Sequence, residues 1–511
     1  MNTLYYGDNL DVLRRKIKDE SVDLCYIDPP FNSKRNYNQI YNNIGSEDKA
    51  QAQAFVDTWT WDTLAEKGYS EILANEQGRF SKKTVELIKG YHNVLGKGSL
   101  FAYTISMTLR ITEIHRVLKP TGSFYFHCDP TVSHYIKLVL DSIFCGHSGD
   151  FRNEIIWDYS FRMMELHKFF NRKHDVVLFY SKSDDNKFSM PKTVWTRDAL
   201  IASRKQKIHV DKSGDEWIWM PGGKGNSKNK MRRVEEIIQG GKAITDVWPI
   251  PIISSSSKER LGYPTQKPEA LLERIIKASS DEGDVVLDAY CGCGTTVAVA
   301  ERLKRKWIGI DITYQSISLV LRRLKDSFGE KILKTINIDG VPKDLESATA
   351  LAHKQDDRLR KEFEKLAILT YSNNRAMINE KKGADKGIDG IAYFLTKKDQ
   401  NETIIFQVKS GNVNRGDIAK LCGDMVRTKA AMAIFLTLKP PTREMKLEAK
   451  SAGIYHFPLY SKDYDKVQIV TIQDMLEKDK YLDVPLAMDV LKTAATKTNA
   501  IQESLFSEGE L

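Results

Sequence analysis

What this sequence lacks narrows it first. It holds six cysteines in 511 residues, with no C-x-x-C pair and no His/Cys spacing suited to a metal. That excludes a disulfide-stapled scaffold and a zinc module, and leaves reduced thiols as the expectation. No basic lead followed by an apolar stretch opens the chain at M-N-T-L-Y-Y-G-D, and no apolar run approaches membrane-spanning length, so a cytoplasmic protein is expected. Charge of one sign is not in great excess. Seventy-seven Lys and Arg against 68 Asp and Glu give +9, a bias that suits a polyanionic partner without requiring one. At 41% hydrophobic and 28% charged the composition is that of an ordinary globular protein, and the length predicts two to four domains.

Proline is scarce as well, 15 in all, yet two stand together in D-L-C-Y-I-D-P-P-F-N (Asp23–Asn32). Neither can donate to a sheet ladder, so an apolar strand must end at Asp28. Upstream, T-L-Y-Y-G-D (Thr3–Asp8) reads as a strand ending in an acid, and the next segment as a helix with Leu10, Leu13 and Ile17 on one face. Strand, helix, strand is a βαβ unit of a parallel sheet, and ligands of such sheets collect at the carboxyl ends of the strands, where Asp8 and Asp28 lie. A second unit comes much later: G-D-V-V-L-D-A-Y-C-G-C-G-T-T (Gly283–Thr296), a helix, then the strand K-W-I-G-I-D ending at Asp311. Gly292 and Gly294 let backbone approach a ligand at a helix start. Asp311 stands near the place of the acid that holds ribose hydroxyls in dinucleotide folds. The third glycine of the pyrophosphate fingerprint is missing, which favours a nucleoside without a pyrophosphate.

D-P-P-F (Asp28–Phe31) and the aromatic-x-G-x-G of Tyr290–Gly294 together resemble motifs of the DNA amino-methyltransferases that use S-adenosylmethionine. Their order, catalytic motif first, resembles the permuted (beta) class. G-Y-P-T-Q-K-P-E-A-L-L-E-R-I-I (Gly262–Ile276) resembles the cofactor-side motif that precedes the glycine loop, H-R-V-L-K-P-T-G-S-F-Y-F-H (His115–His127) a strand of the core, and Y-G-D (Tyr6–Asp8) the acid that touches the cofactor's adenine. The resemblance spans about residues 1–330. It implies an α/β, Rossmann-like sheet with an inserted target-recognition region, followed by a second α/β domain. It implies a cofactor held by Asp8, Thr265 and Lys267 on one side and by Asp288, Tyr290, Gly292, Gly294 and Asp311 on the other. Lys267 and the helix opened by Pro268 would meet the methionine carboxylate, although a helix-start proline needs no such role. Cys293 stands where the family has serine.

The same resemblance implies the chemistry. Asp28 would accept one N–H of an exocyclic base amine and the Pro29 carbonyl the other, with Pro30 stiffening the elbow and Phe31 offering a face to a flipped base. By itself D-P-P is equally a plain strand-to-loop turn. An acid in first place resembles the adenine-N6 enzymes more than the cytosine-N4 ones. The implied partner is double-stranded DNA, and many permuted enzymes form a homodimer. The expected divisions are 1–149 (catalytic half), 150–262 (inserted target-recognition region), 263–330 (cofactor half), 331–349 (linker), 350–490 (second domain) and 491–511 (disordered tail). Basic and aromatic residues mix in the insert, as in Phe161–His174, Trp217–Trp219 and Gly222–Arg233, which suits phosphate and base contacts. The Asn32–Asn38 loop would lie beside the flipped base.

In the second half, K-K-G-A-D-K-G-I-D-G-I-A-Y-F-L (Lys381–Leu395) and E-T-I-I-F-Q-V-K-S-G (Glu402–Gly411), joined by a turn, read as two strands of a hairpin that carry the motifs Gly383–Gly390 and Phe406–Gly411, with Gln407 and Lys409 on one face and Asp389 at the start of the neighbouring strand. They resemble the PD-(D/E)XK nuclease fold, closest to Mrr-like restriction endonucleases. That resemblance implies a Mg²⁺ held by Asp389 and the Val408 carbonyl, with Lys409 polarising water or phosphate. It also nominates Glu364, in F-E-K-L-A, as the acid of the first helix. Gln407 replaces a common glutamate, and a degenerate domain that only grips DNA is the alternative. In the tail, Q-E-S-L-F (Gln502–Phe506) resembles the peptide that docks on the DNA sliding clamp. The leading expectation is a single-chain restriction–modification enzyme. The alternatives are a methyltransferase, cytosine N4 or adenine N6, whose second domain binds without cutting, and a binding protein that has lost both activities.

Overall fold

The computed structural model describes residues 1–30, 59, 61–145, 149–160, 170–220, 230–254, 257–261, 263, 265–353, 357–372, 376–379, 387–397, 400–457, 462–478 and 480–482. Phe31, the Asn32–Asn38 loop, residues 161–169 and 221–229, Gly383–Lys386 and the clamp-like Gln502–Phe506 fall outside them.

The strand β2 (Val22–Ile27) shows how the first unit is built. Its sequence, V-D-L-C-Y-I, does not alternate, because both faces of a central parallel strand are covered. Cys25 and Ile27 enter one core with Phe124 and Phe126, whereas Leu24 and Tyr26 enter the core on the opposite face with Tyr125. Its one charge, Asp23, is 2% exposed and is held by Lys119 Nζ at 2.8 and 2.9 Å and by the Val285 N–H at 2.9 Å.

The elements of this unit are β1 (Asn2–Tyr6), α1 (Asn9–Lys16), β2 (Val22–Ile27), α2 (Ser99–Val117), β3 (Leu118–Cys128), β4 (Asp150–Asp158), β5 (His174–Ser181), β6 (Val247–Pro249), α3 (Glu269–Ser279), β7 (Val285–Asp288), α4 (Thr295–Arg302), β8 (Lys306–Asp311), α5 (Tyr314–Phe328) and β9 (Ile336–Asp339). The strands form one sheet in the order β6-β4-β5-β3-β2-β7-β8-β1-β9. From β3 to β9 neighbours are parallel, and β5 runs antiparallel between β3 and β4. The chain proceeds from β2 to β3 on one side and from β7 to β8 on the other. The carboxyl ends of β2 and β7 therefore flank the switch point, where open α/β sheets bind ligands.

Two expected boundaries differ from the structure. Residues 331–349 are not a bare linker: I-N-I-D forms β9, which lengthens the sheet beside β1, and the helix Leu345–Ala352 follows. Nor is 150–262 wholly an insert. Β4, β5 and β6 belong to the main sheet, because their apolar residues Ile155, Trp157, Val177 and Trp248 complete its core. Between them lies a small three-stranded sheet, His209–Val210, Glu216–Met220 and Lys230–Arg233, over its own core of Leu200, Ile218 and Val234.

The second unit has α6 (Asp357–Tyr371), β10 (Met377–Ile378), β11 (Gly390–Lys397), β12 (Gln400–Lys409), α7 (Arg415–Thr428), β13 (Met432–Thr437) and β14 (Val467–Thr471), with sheet order β10-β11-β12-β13-β14. Β11 and β12 are the expected hairpin, and β12, β13 and β14 are parallel. Α6 packs on α5, and Tyr6 and Val341 border the cores of both units.

Lys119→Ala would leave the buried Asp23 with the Val285 N–H and a more distant Lys187 at 3.8 Å. A loss of about 2 kcal/mol is expected, since one partner of a partly exposed pair is removed from a buried carboxylate. The measurement is a shift of the urea midpoint at unchanged slope.

Candidate active site

Four acids stand at the carboxyl ends of four neighbouring parallel strands: Asp28 after β2, Asp288 ending β7, Asp311 ending β8 and Asp8 two residues after β1. Each is answered differently. One Asp8 oxygen caps α1, accepting from Leu10 N–H at 2.9 Å, and the other takes Arg110 at 3.0 Å. Asp311 accepts the Gly292 N–H at 2.9 Å through Oδ2, and the Thr313 N–H and hydroxyl at 2.9 and 3.0 Å through Oδ1. Burial pushes its pKa up to about 6, against the pull of these donors. Asp288, 4% exposed, accepts the Tyr290 N–H at 3.0 Å. Burial pushes it up to about 7, opposed by the Thr296 hydroxyl and the Tyr290 N–H and then reinforced by the charges of Asp28 and Asp311.

The glycine loop is closed from several sides. Asn9 Nδ2 donates to the Ala289 carbonyl at 2.7 Å, and Arg110 Nε holds Asn9 Oδ1 at 2.6 Å. Gly292 has φ +47° and a Cβ there would meet the Tyr263 ring at 3.2 Å; Gly294 has φ +76° and a Cβ would meet Val320 at 2.8 Å. Only glycine suits both places. A narrow backbone turn leading into α4, with acids on both flanks, fits a cationic nucleoside such as S-adenosylmethionine.

Asp28 is paired with Lys267 Nζ, which also donates to the Thr265 carbonyl at 3.3 Å. Thr265 itself adopts φ +60°. The structure thus places Lys267 on the D-P-P acid, where the sequence reading had set it against a cofactor carboxylate. The first N–H of α3, at Glu269, is taken by the Glu259 carboxylate at 2.6 Å. Pro29 is buried behind Asp28, and Pro30 is half-buried.

Sequence reasoning missed what lies beneath Asp28. His127, fully buried, meets the Tyr26 hydroxyl at Nδ1 (2.7 Å) and Asp175 at Nε2 (3.2 Å), and the Tyr159 hydroxyl donates to Asp175 at 3.1 Å. Burial and then the charges of Asp28, Asp288 and Asp175 hold the Tyr26 hydroxyl well above its usual range, so it keeps its proton. Burial also raises Asp175, but His127, the charge of Lys267 and the Tyr159 hydroxyl outweigh it and keep the carboxyl low. The visible signal was the histidine ending F-Y-F-H, one strand over from Tyr26.

In the small sheet, Arg197 pairs with Glu216 at 2.5 Å and Arg233 pairs with Asp215, while Trp219 is 45% exposed. Part of the basic content there is therefore neutralised internally.

The second unit brings its expected residues near one another without building a metal cage. Asp389 Oδ2 accepts the Val408 N–H at 2.8 Å, and Gln407 Nε2 donates to the Gly387 carbonyl at 3.1 Å. Lys409 lies 3.7 Å from Asp417. Lys361 Nζ is 2.5 Å from Glu364 and 3.9 Å from Asp389 Oδ1, so an ammonium sits between the two carboxylates a divalent ion would need. Among the described residues no group of three or more His, Cys, Asp or Glu could hold a metal. With Gln407 in place of a third acid, these residues do not fit Mg²⁺.

The chain matches a family described as DNA methylase over residues 22–322, and over 362–477 a family described as NACHT-associated inactive Restriction Endonuclease 1. The type II methyltransferase M2.LlaDCHI of Lactococcus lactis subsp. cremoris is 48% identical over 322 residues, covering 63% of this chain and 88% of that protein. The DNA adenine methyltransferase YhdJ of Escherichia coli is 28% identical over 325 residues, covering 63% of this chain and 82% of that protein.

The raised pKa of Asp288 predicts a pH signature. The folded carboxyl keeps its proton up to about pH 7, whereas the unfolded chain releases it near pH 4. Stability contributed by that proton is full below about pH 4 and is lost as pH rises to about 7. Asp288→Asn should therefore lose less melting temperature than the unsubstituted chain between about pH 5 and pH 8.

Proposed function

This chain belongs to the DNA methylase family, and on that premise we propose that it moves a methyl group from S-adenosylmethionine to the exocyclic amine of a flipped base in double-stranded DNA, adenine N6 in preference to cytosine N4, as a permuted (beta-class) enzyme. The observation that carries this reading is the placement of Asp28 and the Gly292–Gly294 turn at the ends of adjacent strands, β2 and β7, across the switch point. The bound cofactor supplies an electrophilic methyl. The protein supplies orientation: Asp28 accepts an amine N–H, the Pro29 carbonyl accepts the second, and the proline pair holds both acceptors still. Lys267, paired with Asp28, would give up that contact to the incoming amine. The acid in first position, and the resemblance to a relative named for adenine methylation, support adenine.

For the second unit the reading supported best is a restriction-endonuclease fold that binds DNA without cutting. Lys361 between Glu364 and Asp389 supports it, because a fixed ammonium neutralises the carboxylates that would recruit the metal.

Asp28→Ala should lower methyl transfer at least a thousandfold while cofactor affinity, read by calorimetry, stays within about threefold; retained transfer would end the assignment. Long-read mapping of exposed DNA should give N6-methyladenine at one short motif, and N4-methylcytosine would move the specificity to the other base. Unmodified DNA incubated with the protein and Mg²⁺ should remain intact. Nicks that vanish in Asp389→Ala would establish cutting instead.

A further inference from the structure

We propose that the second unit completes the cofactor site of the first, and that Glu362 is the positioning residue through which it does so; the inference rests on the methyl-transfer reading above. Glu362 belongs to α6, yet the residue is 7% exposed and its carboxylate faces the other unit. Its Oε2 accepts the Tyr314 N–H at 3.0 Å and the Tyr6 hydroxyl at 3.5 Å, and Lys365 pairs with Oε1 at 2.9 Å. A carboxylate so placed gains little from the cores around it, and is tolerable because donors from the first unit meet it.

Those donors lead directly to the cofactor acids. Tyr314 opens α5 and follows the cap residue Thr313, whose N–H and hydroxyl both bind Asp311, which in turn holds the Gly292 N–H. Tyr6 ends β1, pairs in register with Asp311, and stands two residues before Asp8. The Tyr6 and Tyr314 rings meet edge to face at 6.2 Å, and the Tyr314 hydroxyl reaches Thr370 of α6 at 3.0 Å. One side chain of the second unit thus fixes both β1 and α5 where they wall the nucleoside end of the site. These contacts act at β8 and β1, two and three strands from β2, so they bear on the cofactor and leave the base-accepting side at Asp28 alone.

The test uses the full chain. Glu362→Ala should weaken S-adenosylmethionine binding about five- to tenfold by calorimetry, as expected for a lost charge-assisted hydrogen bond transmitted through Tyr314 and Thr313 to Asp311. The KM for DNA and kcat at saturating cofactor should stay within about twofold. Glu362→Gln keeps an acceptor for the Tyr314 N–H and should give an intermediate loss of about threefold; it serves alone should the alanine variant fail to fold. Cofactor affinity unchanged in the variant that folds, or a DNA KM rising in step with the cofactor loss, would overturn the inference while leaving the methyl-transfer reading intact. An unsubstituted chain that binds no S-adenosylmethionine would overturn both.

Discussion

A row of carboxylates at the mouth of a buried parallel sheet must be neutralised within a few ångströms, because burial raises the cost of every charge there. Asp8, Asp28, Asp288 and Asp311 are answered in four ways: a helix start with an arginine, a lysine, backbone and hydroxyl donors alone, and a glycine amide with a threonine. Among the described residues, Asp28 alone of the four is met by a lysine, Lys267. Asp311 and Asp288 spend their oxygens on the backbone of the loop and brace its shape. The remaining architecture, from the buried His127 pair to the capping of α5, holds these four positions in register.

The second unit follows the same logic with the opposite outcome. Where a nuclease would gather carboxylates and let a divalent ion neutralise them, Lys361 supplies a covalently attached positive charge. Within one turn of α6, Lys361 and Glu364 face Asp389 while Glu362 faces Tyr6 and Tyr314. One helix therefore faces Asp389 of its own sheet on one side and the first unit on the other.

Much of this was legible in the chain. The β1–α1–β2 and β7–α4–β8 units follow from apolar runs, an amphipathic helix and a glycine turn, all local features. Asp28, Gly292, Gly294 and Asp311 stand out because proline and glycine mark where a strand must stop and where backbone must come close. Lys267 was expected on the cofactor side, and nothing local says that its ammonium reaches Asp28, 239 residues away. Residues 331–349 read as a connector because I-N-I-D is too short to announce a strand, and its pairing partner is the first strand of the chain.

Sequence alone determined the element types of the β1–α1–β2 and β7–α4–β8 units, the glycine-bearing turn and the identity of the acids, because each depends on the conformational limits of a few neighbouring residues. Tertiary structure decided which cation faces which acid, how His127 and Asp175 come to lie under Asp28, and that Glu362 reaches across to Tyr6. These are contacts between residues tens to hundreds of positions apart. Their free energy depends on distance and on exclusion of water, two quantities that exist only once the sheet has closed.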